Sequence, residues 1–321
     1  MLRAMTRFAL AALAGLFLVA CSDPPAPPTT VAPVPVVAPP TPEPTPETPT
    51  WLYRVTTDTQ PSYVLAALEY GCPLSEALPH DYAALFQFAR VVIVPDARTE
   101  EEMHDAMMAQ AIDRSGSLAR ALGPERLAAL TDEIDDAVTP GIVRFLRPTW
   151  AIGLYYEGLQ TDAYGGHLSD MRMSPTHDAA IRRQMSGAPL TGLFTAADVD
   201  RMMASGAPLA ADALSAAIDH VDAARAISRD TLAAYRAGDE TALWTALQTD
   251  VPGAEAFSAA CRAAEQQALE AHSGSLSSEL RAGNAFAVLP AQEVLGDDGV
   301  LARLRNAGVE ITRVSVAAPA P

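Results

Sequence analysis

The stretch that decides the fold is FAVLPAQEVLGDDGVLARLRNAGVEITRV, residues 286–314. NAFAVLP just upstream and into it is a short, fully apolar run, the pattern of a strand buried on both faces. Asp297 or Asp298 stands where a helix N-cap is needed, GVLARLRNA has helical spacing, and Gly308 is placed to end that helix. VEITRVSV then alternates as a closing strand. Glu293 sits between the first strand and the helix, where a loop residue at the mouth of a sheet can do chemistry.

Working outward, the other strands lie at the far end of the chain. WLYRVTT and SYVLAAL, joined by DTQP, read as a hairpin beginning at Trp51. VVIV at 91–94 is a third apolar strand, ended by Pro95. PHDYAALFQFAR has helical spacing, with Ala83, Leu85, Phe88 and Ala89 grouping to one side. Thr99 is placed to cap TEEEMHDAMMAQAIDR, whose three glutamates suit a helix N-terminus. From there to about residue 283 the pattern is nearly all helical, punctuated by Gly and Pro, with one extended break at APLTGLFT, residues 188–195. APLAADALSAAIDHVDAARAISRDTLAAYRAG reads as one helical stretch. The expected class is α+β: a central sheet built from both ends of the chain, with a large helical insert.

Residues 1–20 have the layout of an export signal: Arg3 and Arg7, then the apolar FALAALAGLFLVA, too short for a comfortable membrane span. LVAC resembles a bacterial lipobox, which implies cleavage before Cys21 and acylation of that residue. Residues 22–50 hold 12 of the 26 prolines. Such a segment is expected to be an extended tether with a reach of about 90 Å at ~3.1 Å per residue. Residues 51–321 remain as the globular part. The address expected is the periplasmic face of a bacterial envelope. The membrane partner is reached through the lipid anchor, and Ser22 after the cysteine favours the outer membrane.

The chain is 49% hydrophobic and 19% charged, with a formal charge of −17 that becomes −19 once Arg3 and Arg7 leave with the signal. All 22 basic residues are arginine. A surface this acidic excludes nucleic acid as a partner, since that needs a basic footprint. Cys72 and Cys261 are the pair left when Cys21 is acylated. In an oxidising compartment a bridge is the expectation, with two buried free thiols as the alternative. His167 and His177 lack metal-ligand spacing and are read as surface or capping residues, as is His220. SGS at 115–117 and SGSLSS at 273–278 lack a nucleophile elbow, and no phosphate-binding glycine loop follows a strand.

The order WLYRV (51–55), RPTW (147–150), GAPLTGLFT (187–195) and EVLGDDGVLARLRNAGVEITRV (293–314) resembles the TraB/PrgY/GumN family, which includes the Tiki-type metalloproteases. The resemblance implies an α+β domain with a duplicated sheet core and two GxxH motifs facing one another, whose histidines and nearby acids hold a divalent metal. Here the motifs read AALE, ending at Glu69, and PAQE, ending at Glu293. Ile93 and Phe194 stand where the resemblance implies two further acids. Glu69 and Glu293 are therefore the candidate catalytic and metal residues. Three readings stay open for them: a remodelled metal or acid/base pair, solvated loop residues, or partners of an arginine such as Arg262. The leading expectation is a non-catalytic binding or scaffold domain with a protein or peptide ligand and no cofactor. The alternatives are a hydrolase or peptidase using Mn²⁺, Zn²⁺ or Co²⁺, and a purely structural spacer.

Overall fold

The computed structural model describes residues 47–68, 72–99, 101–102, 105, 110–134, 138–165 and 175–317. Its strands are β1 (Glu47–Val55), β2 (Ser62–Ala67), β3 (Val91–Val94), β4 (Leu190–Gly192), β5 (Ala285–Pro290) and β6 (Ile311–Ala317). They form a single six-stranded sheet in the order β4-β3-β5-β2-β1-β6. β1 and β2 are the expected hairpin, pairing Leu52 with Leu65 and Val55 with Ser62. β2, β5, β3 and β4 run parallel, and β1 runs antiparallel to both β2 and β6. The sheet does come from both ends of the chain, with helices between.

The reason is burial. Every residue of β2, β3 and β5 is buried, so these apolar runs can only form the middle of a covered sheet. β6 is half exposed, which fits its alternating sequence and its place at the edge.

The α-helices whose bounds fall among the described residues are α1 (Leu74–Ala77), α2 (Ala83–Gln87), α3 (Ser117–Glu133), α4 (Pro140–Val143), α5 (Pro148–Tyr164), α6 (Pro175–Ser186), α7 (Ala196–Ser205), α8 (Ala210–Asp219), α9 (Val221–Ala237), α10 (Glu240–Leu247), α11 (Glu255–Arg281), α12 (Ala291–Val294) and α13 (Val300–Asn306). One core surrounds the sheet. A second lies among α3, α5 and α8, around Leu130, Ile152, Tyr155 and Leu214. No helix among the described residues is long and apolar enough to cross a membrane.

Several local expectations need correction. β1 begins at Glu47 and pairs Glu47, Thr48 and Pro49 with Ala317, Val316 and Ser315, so the last residues of the proline-rich stretch belong to the sheet. Pro49 is tolerated because the register shifts between Pro49 and Tyr53. On α2 the buried residue is Phe86, while Leu85 and Phe88 face outward at 39% and 74% exposure. The long helical stretch at 207–238 breaks at His220, whose φ −114° and ψ 38° lie outside the helix. Neither Asp297 nor Asp298 caps α13; its N-cap is Gly299, with no side-chain bond. Thr99 does cap the helix that follows: Glu102 N donates to its hydroxyl at 3.2 Å, and Thr99 N donates to Glu102 at 2.8 Å.

Two glycines explain the LGDDG turn. Gly296 has φ +78°, and a Cβ there would lie 2.4 Å from the Trp244 ring. A Cβ at Gly299 would lie 2.1 Å from the Leu295 carbonyl oxygen. Gly308, at φ +77°, ends α13 as expected.

Candidate functional site

The chain leaves β3 toward β4 on one side and leaves β5 toward β6 on the other. The crevice at the carboxyl ends of β3 and β5 is therefore the topological switch point, the place where open α/β sheets bind ligands. β2 ends in step with β5, since Ala67 pairs with Pro290. The segments leaving β2, β5, β3 and β4 thus start at one edge of the sheet.

After β5 the chain turns at once into the single-turn helix α12, with Pro290 as its N-cap. This carries Glu293 inward, to 7% exposure. Glu293 is therefore not a solvated loop residue. Glu69, beyond the end of β2, lies outside the described residues, as do Cys21 and His167.

After β3 the reading needs revision. Ile93 is inside the strand and 2% exposed. The acid that follows the strand is Asp96, two residues past Val94. Its carboxylate is taken by Arg98, with Nη2 donating at 2.6 Å and Nε at 2.8 Å. Both guanidinium donors meet Oδ2, and the Arg98 backbone N–H donates to Oδ1 at 3.0 Å, so each carboxylate oxygen has a partner.

After β4, Phe194 is 5% exposed and packs its ring edge-on to His272, 6.2 Å between centroids. Thr195 caps α7, with Asp198 completing a reciprocal capping box. Asp198 Oδ2 also meets His272 Nε2 at 2.9 Å, and Oδ1 accepts from Arg201 at 3.0 Å. The Thr195 hydroxyl, then His272, hold the Asp198 carboxyl well below the usual carboxylate range. Sequence reasoning missed this pair: α11 and α7 bring together residues 74 apart. Asp198, three places after Thr195, fits a capping box, but nothing in the sequence tied His272 to it.

A groove of about 590 Å³ opens beside α12, between α5, α9, α10 and α11. Gln292 lines it and reaches toward Glu265 at 3.4 Å. Trp244, Tyr156 and Phe257 supply aromatic walls, and Cys261 is also on its surface. Arg262, named as a candidate partner for the glutamates, pairs instead with Asp250 at 2.8 and 3.0 Å. Tyr156 is pushed up to about 12 by burial, with Asp250 adding to it.

Cys72 and Cys261 are free thiols, Cys72 buried and Cys261 partly so, and the expected bridge is absent from this structure. Cys72 packs in the core around the sheet, whereas Cys261 lies on α11 at the groove, so the fold does not bring them together.

A divalent metal does not fit the described residues. No three of their His, Cys, Asp and Glu side chains come together to hold an ion. Asp96 and Asp198 are committed to arginine and histidine, and Phe194 offers no ligand atom.

Comparison with known families matches residues 51–313 to the TraB/PrgY/gumN family, and the chain belongs to that family. No curated protein and no solved structure gives a match.

Proposed function

We propose that this TraB/PrgY/gumN protein is a lipid-anchored component of the bacterial envelope whose folded domain binds a ligand and does not hydrolyse one. The observation that carries the reading is the state of the acids at the switch point. Asp96 is held by Arg98, and Asp198 by Thr195, His272 and Arg201. A metal that activates water needs its ligands free of such partners and one coordination position open. Phe194 fills space at the third strand end instead of offering an oxygen. The groove beside Gln292 supports binding: it is concave, of small-molecule to peptide size, and combines aromatic walls with amides and carboxylates. The ligand fitting that lining is a protein segment or peptide.

Two measurements test the reading. Elemental analysis of protein purified without chelator, run beside a peptidase assay with added Mn²⁺, Zn²⁺ or Co²⁺, should give neither stoichiometric metal nor turnover. Metal and turnover that both vanish in Glu69→Gln, Glu293→Gln protein would establish the hydrolase instead. For the anchor, Cys21→Ser should leave the membrane fraction or stay unprocessed; unchanged size and fractionation would end the lipoprotein reading.

A further inference from the structure

A second cavity, of about 470 Å³, lies among α1, α2 and α6, and its lining includes no residue of the switch-point site. Leu74, Leu78, Ala83 and Phe86 give it apolar walls, and Arg182 and Arg183 are its arginines. No Asp or Glu appears among its described lining residues, in a chain with 39 acids against 22 arginines.

Arg183 is only 2% exposed. Nη1 donates to the carbonyls of Phe86 at 3.3 Å and Gln87 at 2.7 Å, and Nη2 to those of Ala89 at 2.9 Å and Pro189 at 3.5 Å. These carbonyls end α2 and lead into β3 and β4, so the guanidinium closes a helix terminus and two strand entries at once. Carbonyl dipoles offset only part of a full charge; even a long helix presents about half an elementary charge at its end. The neighbouring carboxylate, Asp178, is committed to Arg182 at 2.8 Å through each of two nitrogens. Burial alone pushes the Arg183 pKa down, with no acid acting against it. Its remaining donor, Nε, is buried and has no hydrogen-bond partner. A buried cation with a spare donor lines a cavity with apolar walls on one side, Ser75, His80, Gln87 and Ser186 as its neutral polar groups, and no acid among its described lining residues; this favours an anion that also has an apolar body.

We infer that this cavity binds an apolar monocarboxylate, a medium-chain fatty acid, with the carboxylate at Arg183 and the chain against Leu74, Leu78 and Phe86. One spare donor suits a monoanion; a phosphate dianion calls for several. The volume lies within the range of small-molecule sites, roughly 300–1,000 Å³. The inference does not rest on the proposed function, since the two cavities share no lining residue.

The test is calorimetric titration of the full chain with sodium decanoate below its micellar concentration. Decanol, acetate and a short peptide with a free C-terminal leucine serve as comparisons. Decanoate should bind at least ten-fold more tightly than any of the three. Ala83→Phe narrows the cavity from an exposed lining position without touching the Arg183 carbonyl contacts. It should weaken decanoate at least ten-fold while leaving the urea midpoint unchanged. Arg183→Gln, if it folds, should abolish the preference for decanoate over decanol; if it does not fold, Ala83→Phe carries the test. Absent decanoate binding, decanol binding equally well, or full affinity in Ala83→Phe would each overturn the inference. Preference for the peptide would overturn the fatty acid as occupant.

Discussion

Gly296→Ala tests whether the turn after β5 is held by close packing against the groove. The backbone there has φ +78°, a left-handed conformation that costs an L-residue about 1–2 kcal/mol. The added methyl would lie 2.4–2.9 Å from three atoms of the Trp244 indole, closer than carbon atoms approach. Trp244 is a rigid ring packed against the main core, so either the ring or the turn must move. Overpacking of this sort costs about 1–3 kcal/mol. The two effects together give a loss of roughly 2–5 kcal/mol, a large part of a typical stability of about 5–15 kcal/mol. Urea unfolding followed by far-UV circular dichroism reads the change. A second variant separates the causes: with Trp244→Leu in the background, the steric part should shrink and about 1–2 kcal/mol should remain. If Gly296→Ala alone stays within about 0.5 kcal/mol of wild type, the size expected of an uninvolved surface site, the packing account is wrong. Because Trp244 also lines the groove, the same variant should alter ligand binding there.

Three further outcomes are expected. A chain starting at Thr50 loses the pairing of Glu47–Pro49 with Ser315–Ala317 and should be less stable than one starting at Thr45, by on the order of 1–3 kcal/mol; identical urea midpoints would remove these residues from the sheet. Thiol titration of the mature protein under denaturing conditions without reductant should find Cys72 and Cys261 both free, and native Cys72, pushed up to about 11 by burial and then Glu76, should react slowly; zero thiols would mean that they bridge. Asp198 is held below its ordinary value in the folded state, so its contribution is present above the unfolded value of about 3.9 and lost as pH falls through the lower folded value. Asp198→Asn should therefore flatten the acid limb of the stability profile below about pH 4, and an unchanged limb would show that the capping and His272 contacts are inert.

The strands were legible because burial on both faces leaves one signature, an unbroken apolar run, and VVIV and FAVL carry it. The LGDDG segment was legible only through the family resemblance; that its glycines press against an indole ring and a carbonyl is seen only in the fold. What could not be read was any contact between distant segments. Which face of α2 is buried depends on where α6 and β5 lie, so periodicity chose Phe88 where the fold chose Phe86. Arg183 looks like any helix arginine until the fold brings four carbonyls, the farthest 97 residues away, around it. The Asp198–His272 pair, 74 residues apart, was invisible for the same reason. The boundary at Trp51 failed because proline density outweighed the chance that a proline sits at a strand irregularity.

Two kinds of residue behave differently around this sheet. Gly296 and Gly299 are required by contacts that exist whether or not a ligand binds, so changing them damages the fold. The residues just past the strand ends make no comparable demand. At Phe194 a ring packs against His272, and at Asp96 an arginine arrives from two residues away. Both residues are held by contacts within the protein. Arg98 pairs with Asp96 and Arg201 with Asp198, so both carboxylates are compensated within the protein. At this edge of the sheet Asp96 and Asp198 are both paired within the protein. Under the proposed non-metal function, Glu69→His with Glu293→His should not by itself confer stoichiometric metal binding, because Asp96 and Asp198 stay paired with Arg98 and Arg201.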